Sequence, residues 1–326
     1  MMICSYEVNR TESRMKKPLL SICIPTYNRS VYLRKSIESI VCQREFTDGD
    51  VEIVISDNAS EDDTQAVGKE FAGKYDNFHY YRNEENIRDR NYSKVISEAN
   101  GALRRLSNDT LIYENGSLSY MCDLIRKNEH DRPLIFWANG SAKPHEEIEH
   151  VDFRGFIRNV SFWITSIACF SIWEEKCENI EKDIAGCDLL LWQVRKGLEL
   201  AYDRKNVLIC NRVLTKTQTV EKKNISYGLY KVFYENYFEL LSPYFDNGAL
   251  TKDDREYLEK DLLFDFFMNW CIQWKLNAKG LEYSKTENLD AAVENAYQDK
   301  PYWKQYIRER KKRMLKMKIK RLLGRG

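Results

Sequence analysis

Three short polar clusters, each directly behind an apolar run, hold the side chains of this 326-residue chain that could do chemistry together. The first is Pro25-Thr26-Tyr27-Asn28-Arg29, behind residues 19–25 (LLSICIP). Its backbone groups and its tyrosine ring suit a planar heterocycle, which needs an aromatic face and hydrogen-bond partners at its edge. The second is Asp57-Asn58-Ala59-Ser60, behind residues 51–56 (VEIVIS). A carboxylate at Asp57 can accept from an imide N–H or a ribose hydroxyl. The same residue type serves equally as an Asx-turn or cap. The third is Ser107-Asn108-Asp109-Thr110, which offers one carboxylate, one amide oxygen and two hydroxyls. Between the second and third lie Asn86 and Arg90-Asn91. The planar fork of Arg90 matches phosphate oxygens, although a lone arginine at a helix end is often simply solvated.

The elements that must position these clusters follow from the apolar periodicity. Residues 19–25, 51–56, 78–82 and 103–106 read as buried strands, and residues 133–138 (PLIFWA) as a further one. Helices are expected over 31–43, with Leu33, Ile37, Ile40 and Val41 on one face, and over 91–100. Ser60-Glu61-Asp62-Asp63-Thr64 is expected to start another helix with capping chemistry. The β-α-β-α rhythm implies a parallel open sheet with helices on both faces. Ligands of such sheets bind beyond the carboxyl ends of the strands, where all the polar clusters fall. Residues 151–220 mix short strands and helices. From Tyr227 onward the pattern is helical, with Tyr230, Phe233, Tyr234, Tyr237 and Phe238 at three- and four-residue spacing. That stripe reads as core packing first and as a lipid or sugar surface second. Thr251 is expected to cap a long helix running through Trp274.

The first two clusters, in this order and at this separation, resemble the opening of the family 2 glycosyltransferases, with Asp63-Thr64, Ser39-Ile40 and Gln43 fitting as well. The resemblance covers residues 18–140 well. It implies an α/β chain of the GT-A nucleotide-diphospho-sugar transferase fold, with a mostly parallel sheet and a helical C-terminal region. The implied division is an extension over 1–14, a transferase domain over 15–220, a helical region over 221–300 and a tail over 301–326. Pro25, Thr26, Tyr27, Asn28, Arg29, Asp57 and Asn58 would then bind the nucleotide, with UDP as the implied type, Arg90 would contact the diphosphate or the nucleotide, and Asn108 would offer the cofactor a neutral amide oxygen. The family usually places an Asp-x-Asp where this chain has Ser107-Asn108-Asp109, so Asp109 is the implied ligand of Mg²⁺ or Mn²⁺. A site with one carboxylate should bind such a cation more weakly. The family's catalytic base, an acid that deprotonates an acceptor hydroxyl for inverting attack, falls by position on Asp188, with Glu174 and Glu175 as rivals. The implied function is sugar transfer from a nucleotide donor to a growing, lipid-linked or free surface glycan. The implied place is cytoplasmic, at the inner face of the plasma membrane. A catalytically silent nucleotide-sugar-binding or scaffold protein of a polysaccharide assembly is the alternative that the thinned metal motif keeps open.

Composition sets the outer limits. The chain is 43% hydrophobic and 31% charged, enough for a sizeable core. No run is long and apolar enough for a transmembrane helix, and the start turns polar at once, unlike a signal peptide. Nine scattered cysteines read as free thiols, and four histidines show no ligand spacing. Residues 302–326 carry eleven Lys plus Arg against a single acid, Glu309, whereas the rest of the chain is net acidic. Ile307, Met314, Leu315, Ile319 and Leu322 are expected on one face of a basic amphipathic helix, which suits an anionic membrane surface. Nucleic acid is not the expected partner.

Overall fold

The computed structural model describes residues 17–143, 146–204, 206–220, 223–224, 227–276, 281–282 and 288–322. The expected N-terminal extension and His145 lie outside them. The first half alternates: β1 (Leu20–Thr26), α1 (Ser30–Val41), α2 (Arg44–Thr47), β2 (Val51–Asp57), α3 (Thr64–Ala72), β3 (Phe78–Arg82), α4 (Arg90–Ser97) and β4 (Leu103–Leu106). Next come β5 (Leu111–Tyr113), α5 (Ser117–Asn128), β6 (Leu134–Trp137), β7 (Ile148–Val151), α6 (Phe153–Val160), β8 (Ser171–Trp173), α7 (Trp192–Arg204), β9 (Val207–Cys210) and β10 (Thr215–Thr217). The remainder is β11 (Lys223–Asn224), α8 (Tyr237–Asp246), α9 (Lys252–Asp261), α10 (Met268–Lys275), β12 (Leu281–Glu282), α11 (Leu289–Tyr297) and α12 (Trp303–Leu322).

The main sheet has the order β3-β2-β1-β4-β8, parallel except for β8. β1 and β2 are buried nearly throughout, as continuous apolar runs between two helical layers must be. The register pairs Thr26 with Asp57 and Asp57 with Arg82, so the polar residues ending β1, β2 and β3 stand side by side on one edge. Gly101, leading into β4, lies against the start of β1, where a Cβ would come within 2.4 Å of Ser21 Oγ.

One expectation changes here. The strand over 133–138 forms, but it pairs in parallel with β9 in a separate sheet of order β6-β9-β7. Apolar content alone marks a buried strand without naming its neighbour. The next helix does start within residues 60–64: α3 begins at Thr64, and Asp62 Oδ1 accepts from the Thr64 N–H and hydroxyl. Thr251 does cap α9, in a reciprocal box with Asp254, and the helical course continues through a π-helical turn, Leu262–Phe267, into α10.

The C-terminal helices do not form a separate core. Phe153 of α6 packs on Tyr244 of α8 with ring centroids 4.8 Å apart. Cys23, Leu106, Phe156, Tyr237, Phe267 and Tyr306 belong to one continuous buried cluster. Asp254 accepts from Arg154 Nε at 2.8 Å and Arg158 Nη1 at 2.7 Å, tying α9 to α6. Of the aromatic stripe, Tyr237 and Phe238 are buried, while Tyr230, Phe233 and Tyr234 pack against the core from partly exposed positions.

The single-face reading of the tail does not hold. Tyr302, Tyr306 and Arg310 are buried, and Ile307, Met314 and Met317 pack on the core with them. Leu315, Ile319 and Leu322 are exposed at 60%, 46% and 86%. A sequence pattern counts apolar residues on a helix without knowing which face the body already covers.

Candidate functional site

The site is built on the carboxyl edge of the main sheet. The chain leaves β1 through Tyr27 and Asn28, both exposed, and Asn28 has φ 52°, a left-handed conformation that asparagine tolerates. Two bonds fasten this turn to the loop after β2: the Asn28 N–H donates to Ser60 Oγ at 2.9 Å, and Asn28 Oδ1 accepts from the Glu61 N–H at 2.7 Å. The next two backbone N–H groups, of Arg29 and Ser30, donate to Thr64 Oγ1 and Asp62 Oδ2. Burial would raise the Asp62 carboxyl, but hydrogen bonds from Thr64 and Ser30 outweigh it and hold Asp62 below the usual carboxylate range.

Asp57 is fully enclosed. Its Oδ1 accepts from the Ser60 N–H at 2.8 Å, and its Oδ2 accepts from the Tyr80 hydroxyl at 2.6 Å and Arg82 Nη1 at 2.8 Å. Asn58 reaches the other way: it donates to Asn86 Oδ1 at 2.8 Å and accepts from the Ile87 N–H at 2.8 Å. Asn91 holds β2 by donating to the Ser56 carbonyl and accepting from the Ser56 hydroxyl, and it accepts from Asn83 as well. The matched residues Asn58, Asn86 and Asn91 therefore work as a neutral amide lattice that shapes the loop between β3 and α4.

Asp109 comes back over the end of β1. The Thr26 hydroxyl donates to Asp109 Oδ2 at 2.9 Å, joining the first and third polar clusters. Burial pushes the Asp109 carboxyl up to about 6, against the Thr26 bond and the Arg29 charge. Asn108 stands beside it, half-buried. Among the described residues no three His, Cys, Asp or Glu side chains converge into a metal cage. One carboxylate with a neighbouring amide oxygen nevertheless fits a divalent cation that is held chiefly by a diphosphate and water.

Arg90 is exposed and has no ion-pair partner among the described residues. Its charge acts on Cys187, together with the charges of Asp89 and Asp188. The loop carrying Asp188 thus lies by the start of α4, and Asp188 itself is exposed there. Glu174 and Glu175 are placed elsewhere. β8 runs antiparallel to β4 with Trp173 opposite Leu103, so both acids sit at the amino edge of the sheet. There they pair with Arg132, and Glu175 with Arg204 also.

Asp89 was not singled out in the sequence. It occupies the cap position of α4 but makes no capping bond, and its Oδ2 is enclosed without a hydrogen-bond partner. Burial pushes its carboxyl up to about 6, opposed only by Arg88, which stands in a left-handed conformation at φ 51°. The Asp89 charge also acts on Tyr92 and Tyr227. An acid that neither caps nor pairs is a cost to the fold, and such residues concentrate where ligands bind. The one sequence signal was an acid between Arg88 and Arg90 directly before a helix.

The family model described as Glycosyl transferase family 2 matches residues 21–179. Abequosyltransferase RfbV of Salmonella typhimurium is 46% identical over 86 residues, 26% of this chain and 25% of the relative. A Campylobacter jejuni protein, GalNAc(5)-diNAcBac-PP-undecaprenol beta-1,3-glucosyltransferase, is 42% identical over 67 residues, 21% of each chain. The matches thus span about a quarter or less of these curated relatives. The crystal structure of S. aureus TarS 1-349 in complex with UDP-GlcNAc superposes with a TM-score of 0.57 at 17% identity, covering 86% of this chain and 80% of that one. The fold is accordingly GT-A-like, a central, mostly parallel sheet followed by a helical C-terminal region.

Proposed function

We propose, from the premise that residues 21–179 belong to glycosyl transferase family 2, that the chain moves a sugar from a nucleoside diphosphate donor to a glycan hydroxyl. The observation that carries this reading is the 2.9 Å bond from Thr26 to Asp109, which gathers the nucleotide-side and diphosphate-side clusters at one sheet edge. Pro25, Thr26, Tyr27 and Asn28 line the base slot with backbone groups and a ring face. Asp57 and Asn58 hold the walls of that slot, and Arg29 and Arg90 face the diphosphate. UDP is the nucleotide to try first, because the fold neighbour TarS was crystallised with UDP-GlcNAc. Asp109, with Asn108 beside it, would hold Mg²⁺ or Mn²⁺, which neutralises a leaving diphosphate when bound.

Asp188 takes the proton of the acceptor hydroxyl as that oxygen attacks the anomeric carbon. The bond to the diphosphate breaks on the opposite face, so the configuration inverts and the nucleoside diphosphate leaves. A second reading gives this proton to Asp89, on the strength of its enclosed, unpartnered Oδ2. The acceptor is a lipid-linked or free glycan. The Campylobacter relative is named for a PP-undecaprenol-linked one, which agrees with an anionic membrane surface as partner of residues 302–326 on the cytoplasmic side. The test is a thermal-shift panel of nucleotide sugars with and without Mn²⁺, followed by measurement of nucleotide release. A ligand that binds only the native state raises the melting temperature. Release of UDP supports the transferase. Stabilisation without any release supports a silent nucleotide-sugar-binding scaffold instead, and no shift with any nucleotide refutes the site.

A further inference from the structure

α12 presents two faces with different tasks. Tyr302, Tyr306, Arg310, Met314 and Met317 recur at steps of four or three and turn into the body. Arg310 pairs there with Asp290 and lies 5.8 Å from the Tyr306 ring centroid. Arg308, Lys311, Leu315, Ile319 and Leu322 follow the same steps about two residues out of phase, which is roughly half a turn. They are exposed, as are Lys312 and Lys318 on either flank. None of these basic residues pairs with an acid among the described residues, although the helix lies on a body rich in acids. A solvated helix face has no use for three large aliphatic side chains in a row.

We propose that α12 is an interfacial helix, its inner face fixed to the catalytic body and its outer face seated on an anionic bilayer. The occupant follows from complementarity. Leu315, Ile319 and Leu322 enter the boundary between headgroups and acyl chains, and Arg308, Lys311, Lys312 and Lys318 meet the headgroup phosphates. Among the described residues no helix is long and apolar enough to cross a membrane, so this contact is peripheral. The proposal rests on the membrane partnership given above and fixes its face. Because the inner face is packed, the helix acts as a rigid strut that sets the orientation of the body at the surface.

The full chain should co-sediment with vesicles of phosphatidylcholine and phosphatidylglycerol in equal parts, not with phosphatidylcholine alone, and binding should weaken as salt rises. The triple variant Leu315→Ser, Ile319→Ser, Leu322→Ser should keep the wild-type melting temperature and lose at least about tenfold in vesicle affinity. Equal vesicle binding by the variant would overturn the proposal. So would a fall in its melting temperature, a wild-type dimer that the triple variant abolishes, or tighter binding of the wild type to single-stranded RNA than to the anionic vesicles. UDP calorimetry on the same samples separates the two readings, since vesicle binding needs no nucleotide and nucleotide binding needs no vesicle.

Discussion

At the scale of single residues, Asp57 spends its whole carboxylate on the protein: the Ser60 N–H, the Tyr80 hydroxyl and the Arg82 guanidinium fill it. Hydrogen bonds to a charged group contribute about 1.5–3 kcal/mol. Asp57→Asn should therefore lower the unfolding free energy by about 2 kcal/mol and weaken UDP binding with it, because the loop that frames the proposed base slot loosens. Urea unfolding beside UDP calorimetry checks this; full stability with lost affinity would put Asp57 on the ligand directly. Asp188 and Asp89 are separated by rate. A general base contributes on the order of 10²–10⁴, so Asp188→Asn should slow transfer by at least about 100-fold while UDP binding persists. If Asp89→Asn causes that loss and Asp188→Asn does not, the proton goes to Asp89. The place of Asp57 at a strand end was legible in the sequence, but its partners were not. Tyr80 and Arg82 lie more than twenty residues beyond Asp57 in sequence and meet it only through the β2–β3 register.

Among the elements, the strands of the main sheet were the most legible, since a run such as residues 51–56 can only be buried on both faces. The neighbour of β6 was less so. It depends on a strand about seventy residues on. Asp254 shows what holds the later elements to the earlier ones. Its buried carboxylate closes the α9 cap and binds two arginines of α6. Burial would raise the carboxyl, but bonds from Arg154, Thr251 and Arg158 outweigh it and hold it well below the usual range. Both arginines are half exposed, so solvent screens part of the gain. Asp254→Ala should cost about 2–3 kcal/mol in urea unfolding, combining a cap with a partly screened ion pair. A depressed carboxyl stabilises the fold above its unfolded value of about 4 and loses that contribution below it. The gap between wild type and variant should therefore begin to narrow as pH falls below about 4 and go on narrowing toward the depressed folded-state value; a gap independent of pH would show that packing, not charge, is lost.

For the whole molecule, the tail and the body are one folded unit rather than a domain with a detachable anchor. A chain ending at residue 300 would remove Tyr302 and Tyr306, both buried, and uncover the Phe264 ring that packs against them. Removing one large buried aromatic costs about 3–5 kcal/mol, so this chain should melt well below the full one, whereas a chain ending at 317 should melt close to it. Equal melting of all three would mean that α12 is only loosely attached. The sequence hid this because the same residues that look like one amphipathic stripe are divided between the body and the solvent. The shared core has a consequence for how such a protein can be altered by recombination. A hybrid joined at residue 220, taking its first half from this chain and its second half from a relative, would inherit two halves of a core that had never adapted to each other. Phe153 would meet an unfamiliar partner in place of Tyr244, and Arg154 and Arg158 would lose Asp254. Working variants of this fold should therefore arise by substitutions within the one lineage, and not by exchange of whole C-terminal halves.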